Sequence, residues 1–184
     1  MATVAEKLLT AEEFAAMPDP GHPTELKRGR VVDMPPPGSR HGQICSKVGR
    51  LLGNHAEAAD IGHVLTNDSG VITERGPDSV RGADVAFYSY ERLPRGPLPD
   101  GYPDVAPELV FEVVSPSDRW SAVLAKVSEY LDAGVRLVCV LRPGPESLRL
   151  VRPDGDDRTL GPDDEFTAPD ILGDFRVPVR RFFS

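Results

Sequence analysis

The chain has 184 residues, of which 40% are hydrophobic and 27% charged, the proportions of one globular domain able to bury about 70% of the surface its unfolded chain exposes. No apolar run approaches the roughly 20 residues of a membrane span, and the opening MATVAEKLL has no basic, cleavable leader pattern, so neither a membrane partner nor secretion is expected. A net charge of −8 argues against broad DNA binding, yet residues 27–50 set six cations against the single Asp33, a block suited to a solvated helix face or to phosphate.

Thr10 followed by Glu13 is a capping-box pattern and predicts a short helix over 10–16, stopped by the Pro18 to Gly21 turn. Residues 24–34 read as two strands about Arg28-Gly29, with Gly29 supplying a positive φ. Pro35, Pro36, Pro37 and Gly38 then lead into a helix capped by Ser39. Its Ile44, Val48, Leu51, Leu52 and His55 recur at helical spacing. Strands are expected near 62–67, 70–74 and 83–88.

Five prolines between 92 and 107 forbid pairing inside a sheet, and such loops are often functional lids. Residues 108–115 form an apolar strand of the kind buried on both faces, interrupted by Glu112. Ser117-Asp118 should cap a helix over 117–133, with Trp120, Val123, Leu124, Val127 and Leu131 as its buried stripe and Gly134 as its stop. With a strand at 135–143 this makes a right-handed βαβ crossover. A hairpin over 147–152 and 157–160 and a closing VPVRRFF segment follow. The fold class is α/β: a mixed β-sheet with helices on its faces.

Glu112 is the most informative residue, because an unpaired carboxylate in an apolar strand costs several kcal/mol. It needs an open strand end or a cation beside it; an outward position on an antiparallel strand is the alternative. Asp84 likewise interrupts a strand-like segment. Two carboxylates from neighbouring strands suit a hard cation such as Mg²⁺. Lys126 sits at the border of its helix's buried stripe and could reach a metal-bound water or a phosphate. Glu25 could add a third carboxylate. Arg40 and His41, in the first turn of the long helix, could meet phosphate there.

Two cysteines, Cys45 and Cys139, make no disulfide framework, and a reducing cytoplasm is the expected location. His41 and Cys45 share a helical face, but two ligands do not close a zinc shell. No nucleophile elbow, phosphate loop or dinucleotide fingerprint is present.

The order of TELKRGRVVDMPPPGSRHG at 24–42, DSG at 68–70, RGADVAFYSYERLP at 81–94, GYPDVAPELVFEVVSPSDR at 101–119 and KVSEYLDAGVRLVCVLRP at 126–143 resembles the Uma-type putative restriction endonucleases, within the PD-(D/E)XK nuclease superfamily. That resemblance implies a restriction-endonuclease-like fold in one domain over 1–184, with a nuclease core over about 24–143 and a C-terminal hairpin over about 144–184. It implies a metal-dependent endonuclease hydrolysing DNA. Asp84 and Glu112 would hold Mg²⁺ or Mn²⁺ with the Val113 carbonyl, Lys126 would polarise the attacking water, and Glu25 would be the additional acid. His41, Arg40 and Tyr130 would line the substrate site, and a homodimer would serve two DNA strands.

The chain departs from the family pattern at Arg28 and Arg30, where acids are frequent, and at Ala83, where proline is usual. Val114, two residues after Glu112, stands where superfamily members carry the lysine. The alternative reading is a catalytically inactive nuclease-fold module that binds nucleic acid or a protein partner.

Overall fold

The computed structural model describes residues 7–184. Along the chain run α1 (Ala11–Ala15), β1 (Thr24–Lys27), β2 (Arg30–Asp33), α2 (Ser39–Ala59), β3 (Gly62–Glu74), β4 (Ser79–Ser89) and β5 (Leu109–Val113). They are followed by α3 (Trp120–Asp132), β6 (Leu137–Arg142), β7 (Ser147–Val151), β8 (Arg158–Leu160), β9 (Glu165–Thr167), α4 (Pro169–Leu172), β10 (Arg176–Pro178) and α5 (Arg180–Phe183). Among the described residues, eight strands make one mixed sheet, ordered β2-β1-β4-β5-β6-β7-β8 with β3 also on β4, and of their pairings only β5–β6 is parallel, as the crossover through α3 requires.

Local signals set the first elements. Thr10 and Glu13 close the expected capping box, the Thr10 hydroxyl accepting from Glu13 N at 3.2 Å and the Glu13 carboxylate from Thr10 N at 3.1 Å. Arg28 (φ 50°) and Gly29 (φ 77°) turn β1 into β2 with two left-handed residues, the pattern of a type I′ hairpin. A Cβ on Gly29 would stand 2.6 Å from the Leu8 side chain, so the turn also needs glycine for close approach.

β4 organises the sheet. β3 pairs along it from Gly62 opposite Ser89 to Glu74 opposite Ser79. Its other edge is shared, because Leu26 of β1 sits opposite Val80 while β5 takes Val85 to Phe87. Both partners run antiparallel to β4. The start of β1 and the end of β5 therefore approach each other beside residues 81–84, where three strands present side chains to one opening.

Helices cover both faces. Val85, Phe87, Leu109, Phe111 and Leu137 pack with Ile44, Val48 and Leu52 of α2. Ala86, Val110, Val138 and Val140 pack with Val127 and Tyr130 of α3. The closing segment joins the α2 side, where Phe166 and Phe182 each lie with ring centroids 5.6 Å from that of Phe111.

Several expected boundaries shift. Residues 62–74 form one strand bent by a bulge instead of two, and β4 begins at Ser79. Gly38, not Ser39, is the N-cap of α2. α3 begins at Trp120 with Arg119 as N-cap, because Asp118 instead accepts from Ser115 N at 2.8 Å and makes its own turn before the helix. Trp120 and Leu124 are not buried, at 37% and 36% exposure. The helix turns Val127 and Tyr130 inward, and Trp120 lies under the guanidinium groups of Arg142 and Arg149. Gly134 follows the helix with φ 98°, as expected of its stop.

The proline-rich 92–107 loop makes no strand and is anchored to the body at several points. Arg92 Nη1 donates to the carbonyls of Ala106, Pro107 and Gly134, and the Tyr102 ring stacks on Phe14 at 6.0 Å.

Candidate active site

Asp84 leaves β4 opposite a β3 bulge, where the register jumps between Thr66 and Ser69. The extra residue puts Asn67 (φ 67°) and Asp68 (φ 53°) in left-handed conformations that both side chains tolerate. Asp84 itself is 5% exposed. Its Oδ2 accepts from Val113 N at 2.6 Å and from His41 Nε2 at 3.2 Å, tying β4 to the end of β5 and to the first turn of α2. On the far side of the imidazole, Nδ1 lies 3.3 Å from Cys45 Sγ, one helical turn on.

Glu112 projects from β5 toward α3, sharing the face of Val110 by strand alternation. One oxygen accepts from Lys126 Nζ at 2.7 Å and the other from the Tyr130 hydroxyl at 2.8 Å, residues four apart on α3. Lys126 also donates to the Gly82 carbonyl at 2.8 Å. Glu25 of β1 stands beside them, its Oε1 3.6 Å from Lys126 Nζ and its Oε2 accepting from Arg81 at 2.6 Å. Glu129 holds the other edge of the Arg81 guanidinium.

Charge is crowded here. Burial, with the Asp84 carboxylate adding to it, pushes Glu112 up to about 7 although Lys126 opposes the shift. Burial and Asp84 also raise Asp68. Burial works against ionising Asp84, but His41 and Lys126 hold it below the usual carboxylate range. Glu25 likewise stays low because Lys126 and Arg81 outweigh its burial. The hydrogen bonds to Asp84 and then Cys45 raise His41 to about 10, so the imidazole is a cation at neutral pH.

Two openings meet at this point. A cleft of about 390 Å³ is lined by Glu25, Asp84, Glu112, Val113 and Lys126. A broader groove of about 870 Å³ runs between α2 and β3, and His41, Asp68 and Asp84 line both. Of the residues expected from sequence, Asp84, Glu112, Val113, Lys126, Glu25 and His41 thus surround common space. Two do not. Tyr130 is fully buried behind Glu112, to whose carboxylate its hydroxyl donates, and it lines neither opening. Arg40 turns away to Gln43 Oε1 at 2.9 Å and Glu146 at 3.4 Å, because as an exposed side chain it finds partners outside the cleft.

Sequence reasoning did not nominate Asp68, Arg81 or Glu129. Asp68 lies in the quoted DSG, but its approach to Asp84 depends on the bulge. The pairing of Arg81 with Glu25 depends on the β1–β4 register. Two donor sets result: the oxygens of Asp84 and Glu112, with Glu25 nearby, and a mixed cluster of His41, Cys45 and Asp84 whose ligand atoms lie within 4.8 Å of one another.

The architecture is a mixed sheet clasped between helices, with acids gathered where β1, β4 and β5 meet. A putative nuclease belonging to DUF820 from Anabaena variabilis has a similar solved structure, with a TM-score of 0.78, 95% of this chain and 97% of that chain covered, and 18% identity. At that identity what is shared is the fold. The model of the Uma2 family, described as putative restriction endonuclease, matches residues 11–180, and the chain belongs to that family. No functionally curated protein shows significant sequence similarity to it.

Proposed function

We propose that the protein is a metal-dependent endonuclease that hydrolyses DNA phosphodiester bonds in the cleft between β1, β5 and α3. The observation that carries this reading is the opening of Asp84 and Glu112, from different strands, into one cleft with Lys126 2.7 Å from Glu112. Asp84 and Glu112 would hold Mg²⁺, or Mn²⁺, with the Val113 carbonyl. The set is all oxygen, as a hard cation requires, and the raised Glu112 and Asp68 mark an excess of negative charge that a divalent ion would relieve. Such an ion, when bound, supplies Lewis-acid stabilisation of the phosphate and a more acidic water.

The chain's own groups do the rest. Lys126 is kept protonated, since Glu112, Glu25 and Asp84 outweigh its burial. Two of its three N–H donors are spent on Glu112 and the Gly82 carbonyl, which aims the ammonium and leaves a donor for an attacking water or a phosphate oxygen. Arg81 and Glu129 fix Glu25 at the wall of the cleft. His41, charged and facing both openings, offers a cation to the scissile phosphate. Two copies acting together would serve the two strands of a duplex. Among the described residues no helix is long and apolar enough to cross a membrane, and both cysteines are free, which fits a reducing cytoplasm as the place of action.

Plasmid nicking in Mg²⁺ or Mn²⁺ tests this. The wild type should relax supercoiled DNA only with metal, and Asp84→Asn should lower the rate by at least about 10²-fold. DNA binding without cleavage in either metal would leave a non-catalytic nuclease-fold module instead.

A further inference from the structure

His41, Cys45 and Asp84 bring a nitrogen, a sulfur and an oxygen donor to one point, and the oxygen-only reading of the cleft uses neither of the first two. We propose that these three side chains form a second cation site, selective for a thiolate-preferring divalent ion of the Zn²⁺ class, and that its occupation withdraws Asp84 from the Mg²⁺ site. The effect on catalysis rests on the reading of Asp84 as a Mg²⁺ ligand. The binding itself does not.

The geometry supports a three-ligand site with water as the fourth partner. Zinc takes sulfur at about 2.3 Å and nitrogen or oxygen at about 2.0–2.2 Å, so tetrahedral ligand atoms lie roughly 3.3–3.7 Å apart. His41 Nε2 is already 3.2 Å from Asp84 Oδ2, and all three donors fall within 4.8 Å of one another. The i, i+4 spacing of His41 and Cys45 fixes both on one face of α2, and Val113 N donates to the same Asp84 Oδ2 at 2.6 Å, holding the carboxylate in place. The imidazole lies between the thiol and the carboxylate, Nδ1 toward Cys45 Sγ and Nε2 toward Asp84 Oδ2. In the proposed site the ring turns so that one nitrogen, the sulfur and the carboxylate oxygen face a common ion.

An entry path exists. Cys45 and His41 line the broad groove between α2 and β3, while Glu112 and Lys126 face the other cleft. An ion can therefore reach the thiol without crossing the Mg²⁺ position. Selectivity follows from ligand softness: a thiolate and an imidazole favour Zn²⁺ or Co²⁺ over Mg²⁺. Binding releases the thiol proton and one imidazolium proton, and no group changes oxidation state.

Titration of the reduced, metal-free protein with Co²⁺ alone reads the site without any nuclease activity. One equivalent should raise a thiolate-to-cobalt charge-transfer band and the visible bands of tetrahedral Co²⁺. Zn²⁺ should bleach both, and an excess of Mg²⁺ should not. Cys45→Ser, a near-isosteric change, should abolish the charge-transfer band, and Asp84→Asn should weaken binding. A wild type without the band, or a band that persists in Cys45→Ser with only Cys139 left, overturns the site.

In the Mg²⁺-supported nicking assay, the Zn²⁺ concentration that halves each protein's own rate should rise at least about tenfold in Cys45→Ser. Equal sensitivity would overturn the competition for Asp84. Absence of nicking by the wild type would count against the endonuclease reading, while the cobalt spectrum would still decide the site.

Discussion

Phe111 and Glu112 are neighbours on β5, yet they belong to two differently built interiors. Phe111 faces α2 and is enclosed by Phe166 and Phe182, rings that come from the far end of the chain. Glu112 faces α3 and is enclosed by Lys126 and Tyr130, with Asp84 and Glu25 beyond. The first region is held by apolar area and shape. The second is held by matched charge and hydrogen bonds, which leaves its balance sensitive to pH and to added cations. A substitution in the first should cost stability alone, and one in the second should alter stability, its pH dependence and activity together.

The largest effect on stability should come from the aromatic side. Phe166→Ala should lower unfolding free energy by about 3–5 kcal/mol in urea denaturation, because the cavity cannot collapse around Phe111 and Phe182. Nicking per folded molecule should not change; a lost rate in folded protein would deny the separation of the two interiors.

On the polar side, Lys126→Met should remove the cation from Glu112 and cost about 3 kcal/mol at pH 8. The cost should shrink at pH 5, where the carboxyl takes up a proton, and Lys126→Met combined with Glu112→Gln should recover part of it at pH 8. Equal costs at both pH values would show that the lysine contributes packing and not charge.

A third test concerns His41. Its folded-state value of about 10 lies above the ordinary value of 6.5, so the native state binds more protons between those limits. The stabilisation is complete below pH 6.5 and is lost as pH rises through about 10. His41→Asn should flatten the decline of thermal stability over that window, and an unchanged slope would place the titration elsewhere.

Local chemistry made much of the fold legible. The Thr10–Glu13 box, the Arg28-Gly29 turn, the Gly134 stop and the apolar run around Glu112 each work over a few residues, and a single sequence displays them. Glu112 stands out in the sequence because a buried carboxylate is costly without a partner, and Lys126 is that partner. What could not be read depends on register. Asp68 reaches Asp84 only because β3 bulges, and Arg81 meets Glu25 only because β1 ends where it does along β4. Trp120 and Leu124 fit a helical stripe, but the sheet takes a rotated face of α3 and leaves them outside. Asp84 supplies the ligand that His41 and Cys45 lacked, from a strand about forty residues away in sequence.

The central claim is that Asp84 and Glu112 jointly hold one hydrated divalent ion. A crystal grown with Mn²⁺ and measured for anomalous scattering tests it most directly. The account predicts a single strong peak bridging the two carboxylates, absent in Asp84→Asn. Ordered Mn²⁺ elsewhere on the protein, with Glu112 still bound only to Lys126 and Tyr130 and no peak between the acids, would contradict it.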